Sequence, residues 1–143
     1  ALIYATDINP TVIEKASKGI FQLSVMKQYS ENYIHSGGTA DFSSYYTAMY
    51  DVVKLQEDLK SRILFSTHNL VSDSSFNEFQ LIMCRNVLIY FDKDLQNKVF
   101  ELFDKSLQPL GYLALGDKET IRFSLLEKRY KQVKGQKIWQ KIS

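Results

Sequence analysis

Apolar and polar positions fall into segments of two different periods along this chain. Leu2–Ala5 is a short apolar run closed by Asp7. Asn9 and Pro10 then open a helix: asparagine accepts a hydrogen bond from free N–H groups at an N-cap, and proline suits the first helical position. Val12, Ile13 and Ala16 share one face, and Lys18-Gly19 closes the helix with a cation in the last turn and a glycine for the left-handed residue after it. Residues 20–38 are mixed and polar, and predict a short helix and a loop ending at Gly37-Gly38. Ser44–Leu55, rich in Tyr and Val, predicts a small β-hairpin. Leu59 begins a second core segment, in which Arg62–Ser66 reads as a buried strand leading to Thr67-His68-Asn69-Leu70. Phe79–Met83 reads as a central strand buried on both faces. Asp92 caps a long helix whose apolar stripe is Leu95, Val99, Leu102, Phe103 and Leu107. Pro109 and Gly111 stop it, and Tyr112–Leu115 is a further strand. Ile121–Leu126 reads as a turn or short helix. Tyr130–Lys134 and Lys137–Ile142 form an antiparallel pair around a two-residue turn, Gly135-Gln136, with glycine first. Strands alternating with helices, then a terminal hairpin, give an α/β sheet with one antiparallel strand.

Composition narrows the setting. The 143 residues suffice for one domain and one core. A net charge of +2 with acids and bases interspersed supplies no basic stripe, which argues against nucleic acid as a partner. No apolar run approaches the ~18 residues of a membrane span, so membrane insertion is not expected. Cys84, the lone cysteine, makes no internal disulfide and suits a reducing cytoplasm. Ala1 opens on a core strand without a basic leader or initiating Met, which predicts a piece of something longer.

Ligands of open α/β sheets sit beyond the carboxyl ends of the strands, and polar residues mark those ends here. Asp7 can accept both hydroxyls of an adenosine ribose, or merely stabilise the helix N-terminus beside it; dinucleotide dehydrogenases use the same device. Asn69 offers a donor and an acceptor to an adenine edge, or forms a turn. Arg85 and Asn86 follow an apolar strand, where polar groups are costly unless paired or facing a cleft; Asn86 suits a ligand, and Arg85 either a ligand or an acidic neighbour. Cys84 behaves as a small hydrophobe at a strand end, with no acid or His spaced for a triad. His35 and His68 lack ligand-spaced companions, so no metal site is expected. Tyr45, Tyr46 and Tyr50 suit a peptide-docking surface or simple hairpin packing. Lys128, Arg129, Lys131 and Lys134 read as a solvated face.

Ala5-Thr6-Asp7-Ile8-Asn9, Ser17-Lys18-Gly19-Ile20-Phe21, His68-Asn69-Leu70 and above all Cys84-Arg85-Asn86-Val87-Leu88-Ile89-Tyr90-Phe91-Asp92, in this order and spacing, resemble the chemotaxis-receptor (CheR-type) methyltransferases of bacteria. The resemblance implies a class I, Rossmann-like methyltransferase sheet covering residues 1–143 as a partial domain. It also implies an inserted β-hairpin subdomain at about 40–57 and a terminal antiparallel hairpin. It implies S-adenosylmethionine as cofactor and S-adenosylhomocysteine as product. Asp7 would hold the ribose hydroxyls and Asn69 and Leu70 the adenine side. Arg85 and Asn86 would line the pocket, Asn86 near the methionyl end, with Tyr90 near the transferred methyl. The implied reaction is methylation of glutamate side chains on the cytoplasmic region of chemotaxis receptors, with a receptor-tail peptide docking on the inserted hairpin by edge pairing. A degenerate, non-catalytic domain tethering receptor or response-regulator proteins is the alternative; a nucleotide-dependent oxidoreductase would leave Arg85–Asp92 unexplained. The family's first strand and glycine loop are expected upstream of Ala1. A chain without them should expose strand edges, close its sheet differently or dimerise, and bind cofactor weakly. Where family members usually carry Gly-His-Ser-Glu, this chain has Gly116-Asp117-Lys118-Glu119.

Overall fold

A computed structural model describes residues 1–74 and 78–143, which divide into two compact units at Asn69/Leu70. In the first unit, strand β1 (Ile3–Asp7) runs into helix α1 (Pro10–Lys18). Asn9 is its N-cap, the side chain accepting from the Thr11 N–H, and the left-handed Gly19 ends it. Strand β2 (Ile20–Gln22), helix α2 (Met26–His35), the hairpin β3 (Tyr46–Met49) and β4 (Val52–Leu55), the single turn α3 (Glu57–Lys60) and strand β5 (Ile63–Thr67) follow. β5 returns parallel to β1, Ile3 opposite Ile63 and Asp7 opposite Thr67, with α1 packed on both.

The hairpin is wider than its sequence suggests. β2 pairs antiparallel with β4 to make a three-stranded sheet of order β2-β4-β3. Residues 20–22, expected to belong to a short helix and loop, are therefore a strand. Three residues are too few to show a period, so only the available partner reveals them. Val53, fully buried, anchors this sheet. In the same unit Tyr33, Phe42, Tyr45 and Tyr46 pack ring on ring, and the Tyr33 and Tyr45 hydroxyls lie 3.2 Å apart.

The second unit holds the larger core. Strand β6 (Phe79–Cys84) leads through a 3₁₀ turn (Leu88–Tyr90) to helix α4 (Lys93–Ser106), strand β7 (Leu107–Leu115), and the terminal hairpin β8 (Tyr130–Gln132) and β9 (Ile138–Lys141). The sheet order is β6-β7-β9-β8, with β6 and β7 parallel and the last two joins antiparallel. Asp92 caps α4 as expected, its carboxylate accepting from the Leu95 N–H at 2.9 Å. Leu88, Val99, Phe100, Phe103, Leu107, Leu113, Leu115, Ile121 and Trp139 form one buried cluster between α4 and the sheet.

Some expectations change here. β6 is not buried on both faces: Ile82 and Cys84 face the cluster, while Leu81 and Met83 are 52% and 66% exposed. A strand presents alternate side chains to opposite faces, and α4 covers only one. β7 begins at Leu107 rather than Tyr112, and its register with β6 shifts between Phe79 and Leu81, where Leu110 takes a positive φ. Pro109 is tolerated because that irregular stretch carries no regular ladder. As expected of a sheet with one antiparallel strand, β9 alone runs opposite to β6, β7 and β8. The last turn spans Val133–Gln136, the Gln136 N–H donating to the Val133 carbonyl, so Gly135 stands third, where its φ of 73° is free of Cβ strain.

Candidate functional site

At the carboxyl end of the first unit's parallel pair, the Asp7 carbonyl accepts the His68 N–H at 2.9 Å, so the tips of β1 and β5 lie side by side. This brings Asp7 and Asn69 to the same end of that sheet. One Asp7 carboxylate oxygen, Oδ1, accepts the Asn9 N–H at 2.8 Å. Asn9 in turn caps α1, so the carboxylate is fixed against a helix N-terminus. Among the described residues Asp7 Oδ2 accepts no hydrogen bond, and the side chain is half-buried.

In the second unit the carboxyl ends of β6 and β7 are level, Cys84 opposite Leu115. The segments that follow, Arg85–Tyr90 and Gly116–Glu119, are joined by the buried Glu119 side chain. Glu119, 4% exposed, accepts the N–H groups of Asn86 and Gly116 on Oε1 at 2.8 and 2.7 Å. It accepts those of Val87 and Leu88 on Oε2 at 3.0 and 2.7 Å. Burial pushes its carboxyl upward, but the backbone donors of Gly116, Asn86 and Leu88 outweigh that and hold it below the usual carboxylate range. Asn86 sits at φ 61°, left-handed, with an exposed side chain. Gly116 is required beside it, since a Cβ there would run into the Asn86 side-chain oxygen. Glu119 is a site residue that the strand ends alone do not single out. Its signal was an acid placed a few residues after a glycine that ends a strand.

Arg85 is exposed and pairs with Asp117 across 3.6 Å. The acidic-neighbour reading thus has a partner, in the stretch that departs from the family's usual residues. Such an exposed pair contributes about 0–1 kcal/mol. Leu70 packs against the second unit's buried cluster and also lines a hollow of about 260 Å³ with Lys98, Glu101 and Lys105. Tyr90, at the end of the 3₁₀ turn, is 80% exposed. Gln96 donates to the carbonyls of Leu88 and Phe91 and holds that turn on α4.

The matching family model is described as "CheR methyltransferase, SAM binding domain" and covers residues 1–138. The chain belongs to the CheR methyltransferase family. S-adenosylmethionine is accordingly the methyl donor that goes with this domain. The chain is 46% identical over 141 residues to the putative methyltransferase Cher3 of Pseudomonas putida, covering 98% of this chain and 52% of that protein. It is 32% identical over 143 residues to the chemotaxis protein methyltransferase of Salmonella typhimurium, covering 96% of this chain and 46% of that protein. A 104.1 kDa uncharacterised protein of Rhodobacter capsulatus matches at 28% identity, with 98% of this chain against 14% of its own length. The chain thus spans about half the length of the chemotaxis relatives it matches. Among the described residues no helix is long and apolar enough to cross a membrane, and no group of His, Cys, Asp and Glu is arranged to hold a metal ion.

Proposed function

We propose that the protein carrying this chain transfers a methyl group from S-adenosylmethionine to glutamate side chains of chemotaxis receptors, forming methyl esters. The observation that supports it most is Asp7. Inside a CheR-family match, its carboxylate stands at a parallel strand tip with one oxygen tied to Asn9 and the other open. That is a suitable acceptor for a vicinal diol, as a ribose offers. In this reading Asp7 binds the sugar, Asn69 and Leu70 the adenine side, and Arg85 and Asn86 the rest of the cofactor, Asn86 at the methionyl end. Tyr90 shapes the space beside the methyl group. Residues 1–143 are then a partial methyltransferase domain, with an inserted β-subdomain about residues 40–57.

The cofactor supplies an electrophilic methyl on a sulfonium. The protein's part is positioning and exclusion of water. Asp7 and Asn86, held by Asn9 and Glu119, orient without having to reorganise. An ionised glutamate has no proton to lose, so no general base is required and Tyr90 has only to bound the space. β3 is an edge of its sheet, and its open side suits pairing with an extended receptor tail on the cytoplasmic face. Mass spectrometry of a glutamate-bearing receptor peptide incubated with the intact protein and cofactor should show a gain of one methyl on glutamate. Cofactor binding without that gain would reject the substrate; protection by NAD but not by S-adenosylhomocysteine would reject the cofactor.

A further inference from the structure

Glu119 is a buried carboxylate that forms no ion pair among the described residues. Burying a charge is expensive unless its oxygens are filled, and here four backbone N–H groups fill them. Three of those donors are consecutive, Asn86, Val87 and Leu88, so the carboxylate gathers the turn after β6 around itself. The fourth is Gly116, which carries the same grip across to the end of β7. The Lys137 ammonium donates to the Glu119 backbone carbonyl at 3.0 Å, fixing the anchor from the β9 side.

What the grip holds in place is an uncommon backbone. Asn86 at φ 61° lies in a region that a non-glycine residue enters at a cost, and such strain persists only where surroundings over-determine it. Glu119 holds the Asn86 N–H, while Gly116 leaves room for its side-chain oxygen; a Cβ on Gly116 would also lie 2.7 Å from Glu119 Oε1. Together they fix both the backbone of Asn86 and the direction of its amide, which remains exposed.

We propose that Glu119 is a positioning residue for the cofactor: with Gly116 it sets the left-handed backbone of Asn86 and so aims the Asn86 amide at the methionyl end of the ligand. This rests on the functional reading above. It assigns a binding role to the last acid of Gly116-Asp117-Lys118-Glu119, although the two residues between differ from the family's usual pair.

The test is a double-mutant cycle read by calorimetric titration of the intact protein with S-adenosylhomocysteine. Glu119→Gln keeps the volume but turns an N–H₂ toward the backbone donors, and Gly116→Ala crowds Asn86. Each is expected to weaken binding on the order of tenfold. In an Asn86→Ala background the same substitutions should add almost nothing, because the amide they aim is gone. A purely structural role would lower melting temperature but give additive binding losses. Unchanged affinity in Glu119→Gln, or additivity with Asn86→Ala, overturns the proposal. If Glu119→Gln does not fold, the Gly116→Ala cycle decides: coupling to Asn86 supports the proposal and additivity overturns it. Failure of the functional reading looks different, since the unsubstituted protein would then bind no S-adenosylhomocysteine.

Discussion

Single residues at the end of β6 show how much depends on a neighbour's identity. Cys84 and Arg85 are adjacent, yet one is buried in the cluster and the other exposed to solvent. Burial, helped by the nearby Glu119 charge, pushes the Cys84 thiol up to about 12 from an ordinary 9.0. The unfolded chain therefore loses this proton first. The stabilisation that Cys84 contributes is whole below about pH 9 and is lost as pH rises toward 12. The thermal midpoint of Cys84→Ala should therefore fall less steeply than wild type between those values. Native Cys84 should also resist iodoacetamide at neutral pH and react only after denaturation. Rapid labelling of the folded protein would contradict the burial. The reading of Cys84 as a small hydrophobe was open to the sequence, since it ends an apolar strand. That of Glu119 was not, because its partners lie 31 to 33 residues away for three of its four hydrogen bonds.

Among elements, α4 organises the second unit. Its apolar stripe was legible from spacing, but Asp104 lies on the buried side of the helix as well, and spacing alone makes it look out of place. The hairpin explains it: Asp104 accepts the Tyr130 hydroxyl at 3.0 Å and an Arg129 N–H at 2.5 Å, and pairs with Lys141 at 3.5 Å. Lys141 also donates to the Asp104 and Leu107 carbonyls, so α4, β7, β8 and β9 are tied at one point. Removing one partner of a buried pair leaves the others uncompensated. Asp104→Ala should cost about 3 kcal/mol in chemical denaturation. A loss below about 1 kcal/mol would mean that the hairpin is held by Trp139 and Tyr130 packing alone. At the other end of α4 the Asp92 cap is exposed, and Asp92→Ala should cost about 1 kcal/mol.

At the scale of the molecule, the first unit carries two sheets and the second one, and each sheet has unpaired strand edges among the described residues. Leu81 and Met83 on β6 and Leu64 on β5 are large apolar side chains without cover. Uncovered apolar strands at a sheet edge invite pairing with another chain. A polypeptide of these 143 residues should therefore associate as its concentration rises in sedimentation velocity, and Met83→Lys should reduce that association. A species that stays monomeric across the range would show that the edge is harmless. The exposed Arg85–Asp117 pair is not expected to matter here, since salt screens it.

The sequence by itself determined what neighbours along the chain can determine: the caps of α1 and α4, the strand runs that lead to Asp7, Asn69 and Asn86, and the motif that placed the chain in its family. Those signals reside in consecutive residues, whose backbone preferences act before any partner is chosen. Only the tertiary structure decided that Ile20–Gln22 is a strand, that one face of β6 stays open, and that Glu119 grips the turn after β6. Pairing, cover and burial depend on what lies opposite in space, and no local period encodes that.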